Sequence, residues 1–212
     1  MQIVAAVRLL LNGVVVDTIA HYLSLITLVC VPPMFLFWFL VHPIARHWRK
    51  RSLFVTYATI VPILIVTGAI IFSLRTVFLK VYFGIRIPLI IAAGILLLAG
   101  VRITVSRARC LRSSVLLGMP EVSGRDGPGI LITGGIYSRI RHPRYMEGFC
   151  YLASIALFTN YLAVYILLVA YLPMVYVIVV LEERELLDRF GEAYVRYCHA
   201  VPRFLPILRR QK

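Results

Sequence analysis

The sequence predicts an all-α integral membrane protein of about five transmembrane helices, the last two forming a C-terminal helical hairpin. Three observations predict it. Of the 212 residues, 61% are hydrophobic and only 15% charged, and mean hydropathy is +0.89. A soluble domain of this length has no means of covering so much apolar surface, so the solvent is lipid. Several apolar runs are long enough to cross a hydrocarbon layer of roughly 30 Å. Lys and Arg, in turn, gather in the segments between those runs. The chain, 1–212, reads as a single membrane domain. It has N-terminal spans over 1–105, a polar loop over 106–142, and a hairpin with its tail over 143–212.

Residues 3–16 are apolar but interrupted by Arg8 and Asn12, which suits an amphipathic lead-in better than a full span. The first span runs over about 18–41, with Pro32-Pro33 kinking it midway. A basic loop, 42–52, separates it from a second span at about 53–74. A short connection carrying Arg75, Lys80 and Arg86 leads to the third span, about 87–105, in which Arg102 snorkels toward the interface. The long polar segment 106–142 follows, broken by Gly124, Gly127, Pro128, Gly129, Gly134 and Gly135. A fourth span starts at Pro143 and ends near Phe158, Asn160 marks a tight turn, and a fifth span covers about 161–181. A polar amphipathic tail closes the chain.

Loops 42–52 and 106–144 and the tail 182–212 carry four, seven and seven Lys and Arg. The opposite side carries four: Arg8, Arg75, Lys80 and Arg86. The positive-inside rule puts the long loop and the C-terminus in the cytoplasm and the N-terminus outside. The net charge of +14 is therefore a topology signal, and no basic helix with interleaved aromatics stands apart from the spans, which excludes nucleic-acid binding. Cys30, Cys110, Cys150 and Cys198 are scattered without a CxxC pair, so neither a metal site nor a disulfide framework is implied. The N-terminus lacks a basic region followed by a clean cleavage site, so no signal peptide is expected. No internal repeat of the transporter kind is visible. Triad, P-loop and GxGxxG patterns are missing, and the lack of any βα alternation excludes a soluble nucleotide-binding fold.

The most informative stretch is Gly134-Gly135-Ile136-Tyr137-Ser138-Arg139-Ile140-Arg141-His142-Pro143-Arg144-Tyr145. It places polar and turn-forming residues at the mouth of an apolar helix. A hairpin brings Glu182-Glu183-Arg184-Glu185, at the end of the next helix, to the same face. Such a mouth can hold a polar cofactor beside a lipid-soluble substrate. Pro143 suits the first helical position, leaving the N–H groups of Arg144 and Tyr145 to meet a carboxylate or phosphate, aided by the helix dipole. An ordinary loop entering a span would look alike. The acidic segment suggests a solvated helix with i,i+4 pairs Glu185–Arg189 and Arg184–Asp188, stopped at Gly191. Glu182 is set apart from these, because a carboxylate at a membrane boundary needs a partner or a task; a ligand amine is one such partner. Glu147 lies one turn inside the fourth span, where Arg144 at i−3 can pair with it, and serves either structure or a substrate pocket. The tail 194–206 is either a lid over the loop or a surface anchor.

Taken together, these blocks resemble the isoprenylcysteine carboxyl methyltransferase family, relatives of the phospholipid methyltransferases. The resemblance covers about 129–206. It is carried by Gly135-Ile136-Tyr137, Arg141-His142-Pro143-Arg144-Tyr145, Glu182-Glu183-Arg184-Glu185-Leu186, Phe190-Gly191-Glu192-Ala193-Tyr194-Val195-Arg196-Tyr197 and Val201-Pro202-Arg203-Phe204-Leu205-Pro206. It implies an integral membrane methyltransferase using S-adenosyl-L-methionine, with a cytoplasmic cofactor pocket and a lipophilic or lipidated acceptor arriving from the bilayer. The implied cofactor residues are Gly129, Ile130, Leu131, Ile132, Tyr137, His142, Pro143, Arg144, Tyr145 and Glu182. Glu147 and His142 are the candidates for a catalytic base should the acceptor need one. Two departures stand out: Glu147 occupies a position often small in the family, with Gly148 next to it. Ile178 replaces the Arg that members acting on prenylcysteine carry one turn before the acidic pair. Three alternatives remain: a phospholipid N-methyltransferase, a sterol-reductase-like enzyme using NADPH, and a non-catalytic membrane protein.

Overall fold

The computed structural model describes residues 13–41, 53–110 and 130–205. Most of the expected lead-in, the basic loop 42–52, much of the polar loop and the residues from Pro206 onward lie outside them. Among the described residues there are seven helices and no extended strand. We number them α1 (Gly13–Val41), α2 (Leu53–Ser73), α3 (Arg75–Phe78), α4 (Ile87–Ala108), α5 (Pro143–Thr159), α6 (Leu162–Phe190) and α7 (Glu192–Ala200). The protein is an all-α membrane protein. Four helices, α1, α2, α4 and α6, are long and apolar enough to cross a membrane. The remaining expected span, α5, has 17 residues, about 26 Å at 1.5 Å per residue, and lies along α4.

Prolines sit inside three of the long helices, Pro32 and Pro33 in α1, Pro62 in α2 and Pro173 in α6. Membrane helices tolerate them because neighbouring groups take up the freed carbonyls. Contact between helices depends on small residues, as expected where lipid tails are as apolar as Leu. At Gly100 of α4, a Cβ would stand 2.8 Å from the Tyr151 ring of α5. The Tyr151 hydroxyl reaches Thr104 at 2.6 Å, and Ser154 donates to the Ala93 carbonyl at 2.8 Å. Gly148 of α5 admits Tyr171 of α6 in the same way: an added Cβ would be 2.5 Å from its hydroxyl. That hydroxyl donates to the Tyr145 carbonyl at 2.7 Å. The core runs between α1, α5 and α6, through Phe35, Trp38, Leu152, Ala156, Val164, Tyr171 and Val175.

The turn between α5 and α6 falls at Asn160, in the left-handed region at φ 53° and ψ 37°, a conformation that Asn tolerates better than most residues. The segment before α4 clips it in place. Phe83 N–H donates to the Asn160 carbonyl at 3.1 Å and Leu162 N–H to Val81 at 3.1 Å. The Asn160 amide donates to the Gly84 carbonyl at 2.6 Å. Tyr82 stacks on Tyr161 at 4.6 Å and donates its hydroxyl to Asp17 of α1. Helix α6 passes the expected end at 181 and continues unbroken to Phe190, where Gly191 at φ 52° stops it. One apolar and one polar stretch thus form a single rod, and Glu182 and Glu183 are presented by a rigid helix.

Candidate functional site

The mouth of the α5–α6 hairpin gathers three pieces of chain. The first is the 134–142 segment, which enters α5. A 3₁₀ turn at Gly135–Ser138 presents Tyr137. Gly135 has φ 60°, and an added Cβ would collide with Cys110 Sγ at the end of α4, so both backbone freedom and space demand glycine there. His142 precedes α5 in non-helical backbone at φ −120° and ψ 59°, and Pro143 takes the first helical position. The Tyr145 N–H, expected to be free, bonds the His142 carbonyl at 3.3 Å. The backbone donor of the first turn left to a ligand is therefore that of Arg144.

The second piece is the end of α6. Tyr145 donates its hydroxyl to Glu182 Oε2 at 2.8 Å. His142, only 4% exposed, stands between both carboxylates: Nδ1 is 3.6 Å from Glu182 and Nε2 is 3.1 Å from Glu183. Burial alone lowers the pKa of this imidazole, but the two glutamates outweigh it and hold the group above its ordinary value. For Tyr137, burial raises the hydroxyl well above the usual phenol range. Glu182 adds to the rise, while Arg107 and Arg144 oppose it. Tyr137, Tyr145, His142, Arg144 and Glu182 therefore share one neighbourhood.

The tail is the third piece. After α7, residues 201–205 fold back against the 137–142 segment. Arg141 N–H donates to the Pro202 carbonyl at 2.9 Å, His142 N–H to Arg203 at 3.0 Å, and the Tyr197 hydroxyl to Tyr137 at 2.6 Å. Glu183 is the hub of this closure. It receives Arg203 at 2.6 Å, Arg141 at 2.9 Å and His142 at 3.1 Å. In sequence Glu183 looks like one more charge on a solvated face. The missed signal was Arg203 directly after Pro202, a cation delivered by a chain that cannot stay helical.

Two expected roles move. Glu147 does not pair with Arg144; it takes the guanidinium fork of Arg107, with Nε to Oε2 at 2.8 Å and Nη2 to Oε1 at 3.1 Å. The last turn of α4 brings Arg107 in with both nitrogens aligned, a bidentate geometry that a neighbour on the same helix does not supply. Arg144 lies instead over the face of Trp38 of α1, at 4.4 Å. Of the stretch before the 3₁₀ turn, Gly129 lies outside the described residues. Ile130 is exposed, Ile132 half-buried, and Leu131 packs on Tyr194, Tyr197 and Val201. Among the described residues, no group of three His, Cys, Asp or Glu is arranged to hold a metal.

A family model described as phospholipid methyltransferase matches residues 88–193, half of the chain. The chain belongs to the phospholipid methyltransferase family. This membrane methyltransferase matches no curated protein and no solved structure. The family match spans α4, α5 and α6 with the mouth they form. It leaves out α1, which supplies Trp38, and the returning tail, which supplies Arg203. The methyltransferase therefore completes its mouth with residues from both ends of the chain.

Proposed function

We propose that the mouth binds S-adenosyl-L-methionine and that the protein methylates a lipophilic acceptor reaching it laterally from the bilayer. What carries this reading is the trio Tyr145, Glu182 and His142 at the start of α5. The donor set fits the group. The Arg144 N–H at a helix N-terminus suits an amino-acid carboxylate, Glu182 suits its ammonium, and Tyr137 offers an aromatic wall beside a cationic sulfonium. His142 and Pro143 shape that helix end, and Leu131 and Ile132, beside Ile130, lead into it. The excess of Lys and Arg in the loops beside this mouth supports a cytoplasmic orientation for it.

When bound, the cofactor supplies a sulfonium methyl whose carbon–sulfur bond breaks as the acceptor lone pair bonds to carbon, the electron pair staying on sulfur. The protein aligns the partners and keeps water out. Both carboxylate oxygens of Glu147 are engaged by the Arg107 fork, and His142 is favoured as a cation by two glutamates. Neither is free to take a proton without releasing its partner, which favours an acceptor that is already deprotonated, such as a carboxylate or thiolate. An amine headgroup, the phospholipid N-methyltransferase reading, needs one of them to release its partner. Ile178 is fully buried in the core and leaves no cation one turn before Glu182 to grip a prenylcysteine carboxylate.

Binding of S-adenosyl-L-methionine and of NADPH to the detergent-purified protein tests the proposal by calorimetry. Binding of the methyl donor alone, weakened at least tenfold in a Tyr145→Phe, Glu182→Gln variant, is the expected result. Binding of NADPH alone moves the protein to the reductase reading, and binding of neither to folded protein makes the mouth structural.

A further inference from the structure

Three arginines at the mouth are matched by carboxylates. Arg107 is taken by Glu147, and Arg141 and Arg203 by Glu183. Among the described residues Arg144 makes no ion pair, and its guanidinium rests on the Trp38 ring at 4.4 Å. It lies in the first turn of α5, where the helix dipole disfavours a cation. The side chain is half-buried, so water screens it only in part. A stacked guanidinium has its rim, with its N–H fork, still open to a planar or tetrahedral anion.

The wall behind Arg144 is lipid-like. Trp38 is 7% exposed and is flanked by Phe37 at 5.1 Å within a membrane-crossing helix. A ligand that uses both features has an anionic group joined to an apolar tail. We infer that the Arg144–Trp38 pair is the acceptor subsite: the guanidinium side chain receives a phosphate or carboxylate of an amphiphile whose chain lies along α1. This rests on the proposed function and deepens it. The Arg144 backbone faces the cofactor, while its side chain selects the acceptor.

Trp38 also reports on the subsite. In a Trp48→Phe background it is the remaining tryptophan, and drawing the guanidinium toward an anion alters its emission. Dodecyl phosphate, dodecanoate and dodecanol are titrated into the protein in a neutral maltoside detergent. A saturable response to dodecyl phosphate, to dodecanoate or to both supports the subsite, and which of them responds identifies the anion's source as phosphodiester-like or acid-like. Arg144→Gln is expected to weaken that response at least tenfold and Arg144→Lys to weaken it less. An equal response to dodecanol overturns the inference, as does unchanged affinity in Arg144→Gln. Should Arg144→Gln misfold, the comparison of anions with dodecanol on the unaltered side chain still decides. Failure of the methyl donor to bind sinks the proposed function but leaves this titration readable.

Discussion

Separating structure from chemistry at Glu147 is the sharpest test of the mouth. Arg107 and Glu147 join α4 to α5 through two hydrogen bonds of 2.8 and 3.1 Å, and their side chains are 11% and 12% exposed. Removing one partner of such a pair leaves the other charge buried and unmatched, at a cost of ~3–5 kcal/mol. At about 2–4 °C per kcal/mol for a chain of this size, Arg107→Met or Glu147→Met lowers the unfolding midpoint by roughly 6–20 °C. Replacing both at once leaves no orphaned charge, so the double variant recovers most of that loss. The midpoints are read by fluorescence-monitored thermal unfolding in detergent, beside methyl transfer at a temperature where all variants are folded. If Glu147 serves as an ion-pair anchor, the double variant regains both stability and turnover. Full stability without turnover refutes that reasoning and makes Glu147 a participant in the chemistry. A single variant as stable as wild type refutes the buried pair itself.

The same geometry sets other expectations. His142 has its folded pKa raised above the unfolded value of ~6.5. Its contribution to the closure is therefore complete below about 6.5 and lost as pH rises through the folded value; protease cleavage in 191–205 should accelerate across that rise, and a rate independent of pH refutes it. Glu183→Gln weakens the hold on Arg141, His142 and Arg203 together, so the tail is expected to become protease-sensitive at all pH values, with methyl-donor affinity falling about tenfold. Gly148→Ala forces a methyl to within 2.5 Å of the Tyr171 hydroxyl. The expected cost is ~1–3 kcal/mol of overpacking, visible as a lower unfolding midpoint that Gly148→Ala with Tyr171→Phe partly restores.

Helix positions were legible because lipid imposes a coarse rule: long apolar runs must be helical. Pro143, Asn160 and Gly191 mark their boundaries by backbone chemistry that depends on nothing distant. The trio Tyr145, His142 and Glu182 was legible in part, since a hairpin forces its two ends together. Pairing was not legible. Choosing between Arg144 and Arg107 for Glu147 depends on how α4 is rotated against α5, which Gly100 and Tyr151 fix and no spacing along the chain encodes. Glu183 was hidden for a related reason, because its partners are spread over 141–203 and meet only after the chain reverses at Gly191.

The clip of residues 81–84 onto Asn160 lies at the far end of the hairpin from the mouth. It pins the apex of α5 and α6, while their other ends are held by side chains and by the returning tail. The pair is built like tongs, with arms of about 26 Å. A rotation of about 5° at the apex displaces the tips by about 2 Å, comparable to the difference between a Tyr145–Glu182 hydrogen bond and an open gap. The turn at one end of the hairpin thus bears on the aperture at the other. Substitutions at Tyr82 or Gly84 should therefore be read as adjustments of that aperture, made a full membrane thickness away.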